Sequence, residues 1–96
     1  MSPFVSVIIP VFNAYPKLRE TLDCVCQQTL SDLEVIVVDY GSSDSTVELV
    51  LTYPDTRVRL TRIKNRGICA ARNVGLVKAS GQYIQFLDPH DLLDCD

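Results

Sequence analysis

The sequence predicts an α/β fold: one three-layer domain with a mostly parallel sheet and helices on both faces. Three observations carry that prediction. Short β-branched runs alternate with segments of helical periodicity, giving the order β-α-β-α-β-α-β. Two of those runs are apolar almost throughout, as strands covered on both faces must be. The connections are short and contain no repeat, low-complexity tract or Gly/Ser linker, so residues 1–96 read as a single domain.

Val5–Pro10 (VSVIIP) is the first strand, apolar and stopped by proline. Tyr15–Gln28 follows as a helix, with Asn13 as its expected cap and Pro16 at an early helical position. Leu18, Leu22 and Val25 fall at i, i+4 and i+7 and form one buried stripe. Leu33–Val38 (LEVIVV) is a second buried strand. A polar turn, Asp39–Ser45, leads into a helix capped by Asp44 or Ser45, with Val47, Val50 and Leu51 as its apolar positions. Val58–Ile63 reads as a less buried strand near an edge, with Arg57 and Arg59 on its solvent side. Gly67–Ala79 is a helix with a small inner face (Ile68, Ala71, Gly75, Ala79), which Gly81 closes as a C-terminal stop. Tyr83–Leu87 (YIQFL) is the fourth strand, expected to be buried.

Hydrophobic residues make up 47% and charged residues 22%, which excludes disorder and collagen-like repeats. No apolar run approaches the roughly 20 residues of a membrane span, and the first residues lack the basic region of a signal peptide. The expected location is the cytoplasm, and for a full-length protein the inner face of the membrane. Cys24, Cys26, Cys69 and Cys95 read as free thiols, because their spacing matches no zinc pattern. Cys24 and Cys26 lie on opposite sides of a helix and are poorly placed to pair with each other.

The net charge of −3 hides an asymmetry. From Thr56 to Leu87 there is no acid, yet Arg57, Arg59, Arg62, Lys64, Arg66, Arg72 and Lys78 all fall there, and Asp88, Asp91, Asp94 and Asp96 follow. A basic stretch next to an acidic cluster suits an anionic ligand bridged by a cation. Nucleic acid is not an expected partner, since the whole chain is acidic and its aromatics are scattered.

Ligands of parallel sheets bind beyond the carboxyl ends of the strands. No G-x-G-x-x-G or G-x-x-x-x-G-K-[ST] stands there, which disfavours a dinucleotide Rossmann domain and a P-loop NTPase. The paired acids of a phosphoacceptor receiver domain are missing too. Asp39 ends the second strand, where an acid either meets a ribose hydroxyl or forms a turn. Asp88-Pro89-His90-Asp91 ends the fourth. Its carboxylates at i and i+3 can converge on one divalent cation, with His90 joining them or facing solvent.

Taken together these blocks resemble family 2 glycosyltransferases of the GT-A fold. Val5–Asn13 is similar to the family's opening strand. Gln27-Gln28-Thr29-Leu30, Glu34–Ser45 and Asn65–Asn73 resemble its successive blocks, and Gly81–Asp88 resembles the approach to its D-x-D motif. The resemblance implies a Rossmann-like nucleotide-binding half and transfer of a sugar from a nucleotide-sugar donor, usually a UDP-sugar, to a saccharide or lipid-linked acceptor. It places the nucleotide against Pro10, Phe12, Asn13 and Asp39, with Arg72 near the diphosphate and Asp88 at the donor. It implies Mn²⁺ or Mg²⁺ held by Asp88, His90 and Asp91.

Two positions depart from the family pattern: Tyr40 stands where a second acid is usual, and His90 stands at the third place of D-x-D. Histidine can ligate Mn²⁺ but suits Mg²⁺ poorly. The family's acceptor site and general base belong to a second half expected beyond Asp96. The chain therefore reads as a truncated, donor-binding N-terminal part, inactive by itself and self-associating, as a dimer, through surface the second half would cover. The alternative is a non-catalytic nucleotide-sugar-binding or scaffold module.

Overall fold

The two apolar runs form the centre of the sheet in the computed structural model, which describes residues 4–27 and 32–89. They are β1 (Val5–Val11) and β2 (Leu33–Asp39), buried along nearly their whole length. β3 (Val58–Arg62) and β4 (Tyr83–Phe86) flank them, and α1 (Tyr15–Cys26), α2 (Thr46–Thr52) and α3 (Ile68–Lys78) connect the strands in the expected alternation. All pairings are parallel and the order is β3-β2-β1-β4. The chain steps outward from β1 to β3, then α3 carries it back so that β4 pairs with the other side of β1. The reversal of order lies at β1, whose carboxyl end is therefore the expected ligand position.

Alternation along the strands divides the core between two faces. Val7, Ile9, Val11, Val35 and Val37 pack with Leu18, Leu22 and Val25 of α1 and Leu49 and Val50 of α2. Ile36 and Val38 pack with Ala71 and Val74 of α3 on the other face. Each fully buried side chain such as Ile9 or Leu18 contributes on the order of 2 kcal/mol. α3 lies close on the sheet because Gly75 has no side chain; a Cβ there would stand 2.3 Å from Cγ2 of Ile8.

Several local expectations are corrected. Asn13 does not cap α1; Ala14 does, while Asn13 takes a left-handed conformation (φ 51) and serves another loop. In α2 the buried positions are Thr46, Leu49 and Val50, and Leu51 is 69% exposed. The helix is phased by Thr46, whose hydroxyl accepts the Ala14 N–H at 3.1 Å. Ala79 ends α3 with extended backbone. Gly81 instead permits close approach to β1: its N–H donates to Ser6 Oγ at 2.8 Å, and a Cβ would lie 2.7 Å from the Ser6 nitrogen. β4 is exposed at all four residues, not buried, since no described element covers it. Arg57 is half-buried and paired with Asp55 rather than solvated. Cys24 is disulfide-bonded, while Cys26 and Cys69 are free thiols.

Candidate functional site

Backbone hydrogen bonds hold the strand ends at the reversal point in register. The Tyr40 N–H donates to the Val11 carbonyl (3.1 Å), the Ile63 N–H to Asp39 (2.8 Å) and the Leu87 N–H to Ile8 (2.9 Å). Beyond β1 and β2 the chain forms two loops that interlock. The Asn13 N–H donates to Ser42 Oγ at 2.9 Å, and Asn13 Oδ1 accepts the N–H groups of Ser43 (2.8 Å) and Asp44 (3.3 Å). Asn13 thus ties the β1–α1 loop to the β2–α2 loop, which explains its left-handed backbone.

Asp44 completes the tie between the helix starts. It accepts from the Thr46 N–H (2.9 Å), the Thr46 hydroxyl and the Tyr15 N–H (3.4 Å). Burial pushes its carboxyl up, but the Thr46 and Tyr15 donors outweigh that and hold it below its ordinary value. Sequence reasoning missed this role of Asp44, Ser42 and Thr46. The signal was the polar run Gly41–Thr46, which reads equally as an ordinary turn.

Asp39 is fully buried. Its carboxylate accepts the N–H groups of Gly41 (3.4 Å) and Ser42 (3.3 Å), and Arg62 Nε stands 3.7 Å from Oδ2. Pro10, inside β1, is buried as well. Phe12 stands outside, 39% exposed, stacked on Tyr40 with ring centroids 5.4 Å apart and planes at 23°. Gly41 lies close to the Phe12 ring at φ 120, a backbone open to glycine; a Cβ would meet Asn65 Cβ at 3.2 Å and the Phe12 ring at 3.5 Å.

The basic stretch is divided between the two ends of the sheet. Arg57, Arg59 and Lys78 go to the amino end, where Arg57 pairs with Asp55 and Arg59 acts on Glu34. Arg62, Lys64, Arg66 and Arg72 remain at or near the carboxyl end. Arg72 lies one turn into α3, and its Nε is buried without a hydrogen-bond partner among the described residues. A buried donor left unmatched costs about 1–3 kcal/mol, and a guanidinium N–H pairs well with an anionic oxygen.

Asp88 follows β4 at the same end, half-buried. The next residue is anchored: the Thr21 hydroxyl of α1 reaches the Pro89 carbonyl at 3.1 Å. Among the described residues no group of three or more His, Cys, Asp or Glu could hold a metal ion, and His90 and Asp91 lie outside them. Asp88 fits one place in a hard-cation site, since its oxygens suit Mg²⁺ and Mn²⁺. No helix among the described residues is long and apolar enough to cross a membrane.

Known proteins resemble this chain in sequence and fold. The family model for glycosyl transferase family 2 matches residues 6–96. The uncharacterized glycosyltransferase EpsJ of Bacillus subtilis (strain 168) is 41% identical over 93 residues, which are 95% of this chain and 27% of EpsJ. The crystal structure of S. aureus TarS 1–349 superposes with a TM-score of 0.88 at 30% identity, covering 96% of this chain and 29% of TarS. Its complex with UDP-GlcNAc matches at 0.82, with 30% identity over 90% of this chain and 26% of TarS. The mannosyltransferase PcManGT of Pyrobaculum calidifontis, in complex with GDP-Man and Mn²⁺, matches at 0.76 with 34% identity, over 93% of this chain and 28% of PcManGT. The chain thus spans less than a third of each of these proteins. With the same parallel α/β sheet and one family pattern running from Ser6 to the last residue, the chain belongs to glycosyl transferase family 2.

Proposed function

We propose that this chain is the donor-binding part of a metal-assisted glycosyltransferase that moves a sugar from a nucleoside-diphosphate sugar, UDP-linked in the first instance, to a saccharide or lipid-linked acceptor. The buried, unmatched Nε of Arg72 carries the reading, because it is a charged donor held ready for an anion at the carboxyl ends of the strands. The complexes of TarS with UDP-GlcNAc and of PcManGT with GDP-Man and Mn²⁺ support it.

In this reading the nucleotide lies against Phe12, on a floor shaped by Pro10, Asn13 and Asp39. Arg72 binds the diphosphate and stabilises the charge that collects on it as the glycosidic bond breaks. Asp88, with His90 and Asp91, would hold Mn²⁺ or Mg²⁺. The cation supplies positive charge that offsets the leaving diphosphate. The base that takes the acceptor's proton belongs to parts of the relatives that this chain does not span, so the chain alone binds donor without turning it over. We place the activity in the cytoplasm, at the inner membrane face for the full-length protein.

Thermal unfolding with UDP, with and without Mn²⁺, tests the reading. UDP at 100 times its dissociation constant adds about 2.7 kcal/mol of stability. That gain requires Mn²⁺ and fades in Asp88→Ala. Metal-independent stabilisation instead marks a non-catalytic binding module, and no response to any nucleotide overturns donor binding altogether.

The uncovered surface around β4 gives a second expectation. Tyr83 is 59% exposed, Val77 of α3 85% and Phe86 43%. The chain by itself therefore self-associates, as a dimer, through this face. Sedimentation shows association that Val77→Lys with Ile84→Lys abolishes; a monomer at high concentration refutes it.

A further inference from the structure

We propose that Thr21 of α1 is a positioning residue for the divalent cation: its hydroxyl, through the Pro89 carbonyl, fixes the turn that carries Asp88 and so sets cation affinity without touching cation or nucleotide. The proposal rests on the metal-assisted reading above and deepens it.

Packing alone does not account for a threonine at this position. Thr21 lies on the buried stripe of α1 with Leu18, Leu22 and Val25, and is 4% exposed. A hydroxyl buried there costs free energy unless it is hydrogen-bonded, and valine would fill the same space. The Lys17 carbonyl, four residues earlier, offers an acceptor at 3.0 Å, the usual local solution within a helix. Yet the hydroxyl also donates to the Pro89 carbonyl at 3.1 Å, 68 residues away in sequence. Local satisfaction needs only the first contact. The second ties α1 to the chain beyond β4.

That chain is held on both sides of Asp88. Before it, the Leu87 N–H donates to the Ile8 carbonyl at 2.9 Å, and the Leu87 side chain is buried in the core with α1. After it, Pro89 is buried, and its ring disfavours helical backbone at Asp88. Proline has no N–H to give, so its carbonyl is the backbone group by which the turn can be tied down. Thr21 takes that carbonyl. Asp88 stands half-buried between the two anchors, and His90 and Asp91 follow directly in sequence. Outer contacts that hold a metal ligand in place are worth roughly 10–100-fold in metal affinity.

Two measurements on wild type and on Thr21 variants test this. Mn²⁺ uptake is read from the loss of the free-ion paramagnetic resonance signal, and metal-free UDP affinity by calorimetry in EDTA. Thr21→Val keeps the shape and removes the donor. It is expected to bind Mn²⁺ roughly tenfold more weakly, with metal-free UDP affinity within about twofold of wild type. Thr21→Ser returns the donor and restores Mn²⁺ binding. Thr21→Ala, which also lacks the hydroxyl, gives the same split as valine and decides the question if the valine variant does not fold. Wild-type Mn²⁺ affinity in Thr21→Val overturns the proposal, as does failure of Thr21→Ser to restore it. Equal loss of Mn²⁺ and metal-free UDP binding overturns it too, by making Thr21 a general prop of the fold. None of these results touches the metal-assisted reading. Absence of Mn²⁺ uptake by the wild type overturns both.

Discussion

At the amino end of the sheet Arg57 is bidentate on Asp55, with Nε 3.0 Å and Nη2 2.6 Å from the two carboxylate oxygens. At the carboxyl end Arg62 reaches Asp39 only at 3.7 Å, with its side chain 60% exposed, and the Arg72 Nε has no partner among the described residues. The contrast extends to the acids. Glu34 is buried and fully engaged near the amino end, accepting from Ser6 Oγ (2.5 Å), the Ser80 N–H (2.7 Å) and Ser80 Oγ (3.0 Å). Tyr53 donates to Asp23 at 2.5 Å, and Arg57 Nη2 also donates to the Cys26 carbonyl. Burial and the neighbouring Asp55 push the Cys26 thiol up to about 11, so it is no nucleophile. The amino-end charges of Arg57 and Glu34 are matched inside the protein, whereas the Arg72 Nε has no partner among the described residues.

Glu34→Ala is the strongest way to break the comparison on the structural side. It leaves the buried Ser6 hydroxyl and the hydroxyl and N–H of Ser80 without their acceptor, and costs about 3 kcal/mol in denaturant unfolding. Nucleotide affinity of the folded remainder stays as it was, because the cluster lies at the far end of the sheet.

Acid sharpens the same contrast. Burial raises the Glu34 carboxyl, but Ser6, Ser80 and Arg59 together outweigh it and hold it below its ordinary value. The Arg57 guanidinium likewise holds Asp55 well below the usual carboxylate range. A lowered folded value means stability that is complete above the unfolded value, about 4.3 for glutamate. It is lost as pH falls through the folded one. Melting temperature is therefore flat from pH 7 to 5 and falls below about pH 4, with a shallower fall in Glu34→Gln.

Arg72→Leu is the smallest in stability and the most telling in function. Removing an unmatched buried donor leaves stability equal or raised by about 1 kcal/mol. Loss of a charge-assisted contact of about 2 kcal/mol weakens diphosphate binding roughly thirtyfold. A variant that instead unfolds marks Arg72 as structural and erases the distinction between the two ends.

The fold was largely legible because β1 and β2 are apolar on both faces, a pattern that only a sandwiched parallel strand explains. The edge position of β3 followed from its charged alternation. What escaped depended on long-range partners. Thr46 phases α2 through Ala14, 32 residues earlier, and seven residues of helix hold too few turns for periodicity to separate Leu49 from Leu51. YIQFL reads as buried from composition, yet nothing described covers β4. The carboxyl-end residues Phe12, Asn13, Asp39 and Arg72 could be singled out in the sequence. Whether a residue holds the loop, as Asn13 does, or faces solvent, as Phe12 does, depends on hydrogen bonds and packing that only the fold supplies.

The pairing of β1 with both β2 and β4 also orders events during synthesis. Val5 pairs with Leu33 on one side and Tyr83 on the other. A ribosome releases the first strand long before its second neighbour exists. In that interval β1, β2 and β3 can assemble under α1 and α2, while one flank of the most apolar strand stays open. An open flank of that kind recruits other chains. Emergence of the β4 segment is therefore the step that closes that flank of β1.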